Sequence, residues 1–191
     1  MKSAPFRFDE ATHTYVDLGG VVLPHITGLL QLAGWVDETF FTAESCERGQ
    51  AVHALTADYD LGALDPATCV SRYRGWLLGH VKAMSIVRPT FAHVEVPAVH
   101  PTLMFGGRPD RVATDFYGSA AVVEIKSGPP TKGHLIQTAL QAILVAPELN
   151  LPAEHVLRFA EYATRNGRAK VERHERRADF DEAYRILKRY R

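Results

Sequence analysis

The sequence predicts an α/β or α+β fold in which a central mixed β-sheet carries helices on its faces. Three observations predict it. Apolar residues in the first half recur at helical spacing. From Phe91 onward short β-branched runs alternate with turn signals, as in an antiparallel meander. A strong helical stretch then separates this meander from further strands and a last helix. With 191 residues, 46 % of them hydrophobic, the chain suffices for one domain with a sizeable core and is short for two. Residues 1–191 are therefore read as a single domain, with a helical lead-in over about 27–86 and a core over about 91–191.

The elements follow in order. Phe6–Phe8 and Thr14–Leu18 read as short strands, Gly19-Gly20 as a turn and Val21–Leu23 as the returning strand. Thr27–Ala33 is a short apolar helix stopped by Gly34. A helix is expected over about Thr42–Tyr59, with Ala51, Ala54 and Leu55 on its apolar side. Another is expected over Asp65–Ser85, with Val70, Tyr73, Leu77, Val81 and Met84 facing inward. Phe91–Val99 alternates as a strand does, and Gly107–Thr114 and Ala120–Lys126 are two more strands joined through DFYGS. Lys132–Val145 is a helix with Leu135, Ile136, Ala139, Leu140, Ile143 and Leu144 on one face, ended by Pro147. His155–Ala163 and Arg168–His174 flank Asn166-Gly167, a hairpin signal. Asp179–Tyr190 closes as a helix with acidic residues in its first turn and basic ones in its last, matching the helix dipole.

Composition excludes several classes. Two cysteines, Cys46 and Cys69, are too few for a disulfide framework or a four-thiolate metal site, which fits a reduced, cytoplasmic protein. Neither a signal-peptide core nor a stretch long enough to span a bilayer occurs, so no membrane partner is expected. Net charge is zero, but basic residues outnumber acidic ones from Arg165 to Arg191, a surface that can meet phosphates or simply be solvated. H-E-x-x-H, G-x-S-x-G and G-x-G-x-x-G motifs are all missing, and His93 and His100 have no zinc spacing with the cysteines. Ser127-Gly128-Pro129-Pro130 lacks the pattern of a phosphate loop and is read as a turn. Tyr15, Trp35, Trp76 and Phe105 could stack bases, though such spacing usually marks core residues.

The informative stretch is GGRPDRVATDFYGSAAVVEIKSG. Asp110 lies on one strand; Glu124 and Lys126 share a face of the next, two residues apart. Val122-Val123 should be buried, so this strand carries an acid and a lysine from an apolar interior to a sheet edge. Ile125 points into the core, while its backbone carbonyl can still face a metal. Converging carboxylates offer a hard divalent cation oxygen ligands and compensating charge. A lysine beside it can orient water or stabilise charge on phosphate oxygens. The bland alternative is a cross-strand salt bridge of Asp110 or Glu124 with Lys126. It leaves unexplained why charged groups terminate an otherwise apolar strand. Glu95, whose neighbours Val94 and Val96 face the other way, either points into the same site with Asp110 or faces solvent.

This segment resembles the PD-(D/E)XK nuclease superfamily, more narrowly its RecB-like and phage exonuclease branch: Pro109-Asp110 matches the PD, and Glu124-Ile125-Lys126 the (D/E)XK. Arg48-Gly49-Gln50-Ala51-Val52-His53 resembles the branch's G-x-x-x-H helix motif, whose histidine binds a metal. Gly49 would leave room beside that imidazole. Gln137 resembles the glutamine of its Q-x-x-x-Y helix, with Gln141 where that motif has tyrosine. The H-x-Y and LPHITGLLQLAG segments are similar to the lead-in of phage-encoded members.

The resemblance implies a restriction-endonuclease-like core and DNA hydrolysis by metal-activated water, with exonuclease action of the phage recombination type as the leading subtype. Asp110, Glu124, Lys126 and Gln137 would be catalytic. His53, Asp110, Glu124, the Ile125 carbonyl and Glu95 would ligate one or two Mg²⁺ ions, and imidazole makes Mn²⁺ an alternative. The cysteine set of iron–sulfur-bearing relatives is missing, so no cluster is expected. A homo-oligomer or a recombination partner protein is compatible. The rival reading is an inactive nuclease-fold module that grips DNA or a protein.

Overall fold

The computed structural model describes residues 4–36 and 41–190. Its centre is a five-stranded mixed sheet flanked by helices on both faces, as expected. The strands are β4 (Thr90–Val94), β7 (Arg111–Phe116), β8 (Ser119–Lys126), β9 (Leu157–Ala163) and β10 (Ala169–Arg173), in the order β10-β9-β8-β7-β4. Every neighbouring pair is antiparallel except β8–β9, which is parallel. A parallel pair needs a crossover, supplied here by α4 (Lys132–Leu149).

Strand β8 shows why the sheet needs both layers. Side chains alternate along a strand. Val122 joins the core under α1 (Ile26–Leu32), α4 and α5 (Arg177–Tyr190), where Leu140, Ile143, Ala183 and Ile186 are buried. Val123 joins the opposite core, with Ala83 and Met84 of α3 (Arg74–Val87), Phe116 and Phe159. Ile125, one repeat further, packs on Val52 of α2 (Ala43–Asp60) and on Tyr73. Glu124 and Lys126 consequently face the α4 side. The β7–β8 turn is Tyr117-Gly118, both left-handed (φ 55° and 82°), as a tight two-residue hairpin requires. Asn166-Gly167 lies in the predicted β9–β10 hairpin.

A smaller antiparallel sheet of β1 (Phe6–Asp9), β2 (Thr14–Asp17) and β3 (Val22–Leu23) lies beside the ribbon of β5 (Ala98–Val99) and β6 (Gly106–Gly107). They share a core of Tyr15, Leu23 and Val99. Gly106 is required there, because a Cβ on it would stand 2.5 Å from the Tyr15 ring.

Several expected boundaries move. The helix expected from Asp65 begins at Arg74. Asp65 instead closes a turn by accepting from the Ala67 and Thr68 amides, and Val70, expected inside, is 99 % exposed. On α2 the buried residues are Val52, Thr56 and Ala57, whereas Ala54 is exposed and Ala51 and Leu55 half-buried. Pro147 does not end α4: in the last turn it costs a single backbone bond, and the helix runs on to Leu149, capped by left-handed Asn150. Phe91–Val99 is two strands, broken at left-handed Glu95 (φ 53°) and Pro97. Gly107–Thr114 is likewise broken between β6 and β7, so Asp110 lies immediately before β7 rather than on a strand. The final helix begins two residues before Asp179.

Candidate active site

The site forms where α2, the β4 break, the entry to β7 and the end of β8 meet. Helix α2 starts in a capping box: Thr42 and Ser45 each accept from the other's backbone amide. Three turns along it stands His53. Its Nδ1 lies 3.2 Å from Glu95 Oε1 and 3.2 Å from Asp110 Oδ1. Gly49 makes no room for this imidazole, since a Cβ there would meet nothing within 4 Å. Glu95 arrives through the left-handed kink that ends β4, and its amide donates to the Asp110 carbonyl at 3.0 Å, which holds the two acids side by side. Asp110 Oδ2 accepts from the Ile125 amide at 2.6 Å. The β8 backbone thus orients Asp110 through the amide of Ile125, between Glu124 and Lys126.

Glu124 is 3 % exposed and turned toward α4. Its Oε1 accepts from Lys126 Nζ and from Gln137 Nε2, both at 2.6 Å, and its Oε2 accepts from Gln141 Nε2 at 2.5 Å. Gln137 and Gln141, one turn apart on α4, therefore hold this carboxylate together. Beyond Lys126, His134 Nδ1 stands 3.2 Å from the Tyr162 hydroxyl.

The electrostatics follow from burying so many charges. Burial pushes Asp110 up, but the neighbouring His53 and Lys126 charges and the Ile125 amide outweigh it and hold its carboxyl below the ordinary range. Burial and the Asp110 charge together push Glu124 up. Burial opposes charge on His53, yet Asp110 and Glu95 raise it to about 10, making it an imidazolium. Lys126 is raised by Glu124 and Asp110 against the effect of burial. His134 is pushed down to about 3 by burial and then by Lys126, so it is neutral.

Ligand atoms of His53, Glu95 and Asp110 all lie within 4.8 Å of one another. One imidazole nitrogen and two carboxylates suit a divalent cation, and the imidazolium proton supplies the positive charge that such an ion would bring. Glu124 stands beside this group rather than within it, its oxygens occupied by Lys126, Gln137 and Gln141.

Behind the site lies a buried ionic network. Arg111 Nε donates to Asp60 Oδ2 at 2.5 Å, and Arg111 Nη1 donates to the Asp110 carbonyl at 2.7 Å. His80 bridges Asp60 (3.0 Å) and Glu161 (2.9 Å), so α2, α3, β7 and β9 are tied together under Asp110. Asp60, His80 and Glu161 are far apart in sequence and carry no motif, so nothing short of the fold reveals them. Of the proposed base-stacking residues, Tyr15 and Phe105 are fully buried. Trp35 and Trp76 are half-buried, their indoles donating to Glu182 and to the Ser127 carbonyl. Among the described residues no helix is long and apolar enough to cross a membrane.

The sequence matches no protein-family model and no curated protein. Among solved structures, the chain is similar to a protein from Eubacterium rectale provisionally described as an exonuclease, at 15 % identity, over 90 % of this chain and 73 % of that one, with a TM-score of 0.49. It is also similar to the protein SSO0001, at 18 % identity, over 85 % of this chain and 81 % of that one, with a TM-score of 0.37.

Proposed function

We propose that this protein is a metal-dependent nuclease that hydrolyses DNA phosphodiesters. One observation carries the reading: the His53–Glu95–Asp110 donor group stands beside a lysine that Glu124 holds at 2.6 Å. His53, Glu95 and Asp110 would hold a Mg²⁺ or Mn²⁺ ion, with Glu124 and the Ile125 carbonyl beside it. When bound, the ion supplies Lewis acidity and activates water at neutral pH. The chain's own groups do the rest. Glu124 aims the Lys126 ammonium, which donates to a non-bridging phosphate oxygen as negative charge builds there. Gln137 and Gln141 keep Glu124 in that rotamer, so Lys126 needs no reorganisation at the moment of reaction. The Ile125 amide fixes Asp110 in the same way.

Exonuclease action of the phage recombination type is the subtype the sequence resemblance favours. The Asp110, Glu124 and Lys126 set is present, with Lys126 bonded to Glu124 and Asp110 held by the Ile125 amide between them, which supports an enzyme over an inactive DNA-gripping module. The test is a time course on end-labelled linear and circular DNA with Mg²⁺, Mn²⁺ or a chelator. Loss of linear DNA with either metal, abolished by the chelator, is expected. DNA left intact under all conditions sinks the proposal.

A further inference from the structure

A cavity of about 40 Å³ opens beside Glu124, on the face of α4 that carries Gln137 and Gln141. Its other walls are His13, His25, Ile26, Thr27, Gly107 and Arg108. Few groups there are apolar, and its size admits a few heavy atoms rather than a nucleobase. Three features distinguish it from an ordinary packing defect. His13 is a non-glycine residue in the left-handed region (φ 53°), a strained conformation that carries its ring against His25, with centroids 5.7 Å apart. Gln141 is 2 % exposed, and its Oε1, an acceptor with no hydrogen-bond partner among the described residues, calls for a donor there, which a water bridging to a bound oxyanion would supply. Arg108 brings a guanidinium to the rim, where Glu10 at 2.5 Å and Glu95 at 3.5 Å balance it.

Glu10 is exposed, so its pair with Arg108 is screened by water and exchanges readily for another anion. A cation occupying Glu95 would free the guanidinium further. His13 and His25 are both held below the ordinary histidine range, chiefly by burial, so each is a neutral imidazole able to offer one N–H. A guanidinium, two imidazoles and the Thr27 hydroxyl make a donor set for phosphate oxygens. Gln137 and Gln141 touch both Glu124 and the cavity, so an occupant would sit one side chain away from the reacting centre.

We propose that this cavity, walled by Arg108, His13 and His25, is a subsite for the phosphate group that neighbours the reacting one on the same DNA strand. The N-terminal sheet, which carries His13, thereby becomes part of the substrate-binding surface. This inference rests on the nuclease reading for its ligand, and the shared chemistry is a phosphate oxyanion, whether an internal linkage or a free strand end.

Two measurements test it on the full chain. The first is independent of cleavage. Inorganic phosphate titrated into the metal-free protein should shift the His13 and His25 imidazole resonances in a saturable way, and Arg108→Gln should weaken that binding about tenfold. The second uses short single-stranded DNA in Ca²⁺, with anisotropy as readout. Arg108→Gln should lower affinity about tenfold and reduce the salt slope by roughly the 0.7 expected for one single-strand phosphate contact, while Arg108→Lys restores the slope. One neutral methylphosphonate, walked along the strand, should weaken the parent at a single position and leave Arg108→Gln unaffected there. Strands with a 5′-phosphate or a 5′-hydroxyl separate the sources: sensitivity to the end group marks a terminal phosphate, and indifference marks an internal linkage. Unmoved histidine resonances together with an unchanged salt slope overturn the subsite. Saturable phosphate binding in a protein that binds no DNA overturns the nuclease reading and leaves an anion site standing.

Discussion

Asp110 is buried yet ionised, because His53, Lys126 and the Ile125 amide surround its carboxylate. Asp110→Asn keeps the shape and removes the charge. Cleavage should vanish, and calorimetric titration should show Mg²⁺ and Mn²⁺ affinity at least tenfold weaker. Parental binding and parental cleavage would rule out its role. On the proposed reading Lys126 serves a different step, since it bonds to Glu124 rather than joining the donor group. Lys126→Ala should slow single-turnover cleavage by roughly the 10²–10⁴-fold typical of losing a positioned donor. DNA affinity in Ca²⁺ should stay near the parent's. A collapse of affinity with unchanged chemistry would make Lys126 a binding contact only. His53→Ala should lower activity and move the preference from Mn²⁺ toward Mg²⁺, because a nitrogen ligand is lost. Equal rates with both metals in parent and variant would make His53 structural.

The elements converge on the site because the single parallel pair, β8–β9, sends the chain through α4 directly over the end of β8. That placement sets Gln137 and Gln141 on Glu124. The elements of the opposite layer are fastened by His80, which is fully buried between Asp60 and Glu161. Burial opposes its charge, but the two carboxylates raise it to about 9. Folding therefore favours the protonated form. This contribution is fully present below the unfolded value near 6.5 and is lost as pH rises through about 9. The parent should thus lose stability relative to His80→Gln between pH 6.5 and 9, by up to roughly 3 kcal/mol on the scale of 1.36 kcal/mol for each pKa unit. Urea midpoints of both proteins at pH 6, 8 and 10 measure it, and parallel curves would show that His80 is not protonated in the fold.

At the scale of the whole molecule, a group of acids gathered at one point is a cost to folding that a bound cation relieves. A ligand that binds only the folded state adds about 2.7 kcal/mol at a hundred times its Kd. In a chain of this length that raises Tm by roughly 5–10 °C. Thermal unfolding with Mn²⁺ against chelator should show such a rise in the parent and little of it in Asp110→Asn. Equal shifts in both would place the ion elsewhere on the surface.

How much of this was legible beforehand depends on how local each cause is. The alternation through Val122, Val123 and Ile125, the helical face of α4 and the shared strand face of Glu124 and Lys126 are short-range patterns, and the sequence by itself determined them; the ion pair those two make is the alternative that the sequence reading set aside. His53 is legible only as part of an ordered motif, and its meeting with Asp110 at 3.2 Å needs the fold. Val70, Pro147 and the limits of α3 misled because periodicity describes which face is apolar, not where a turn's hydrogen bonds prevail over a helix's. Glu95 reads in the sequence as a residue of an alternating strand, whereas a left-handed kink aims it. Tertiary structure alone decided the Asp60–His80–Glu161–Arg111 network and the meeting of His13, His25 and Arg108 with Gln141. These groups are brought together by chain crossings, and their charges acquire their energies only once water has been excluded around them.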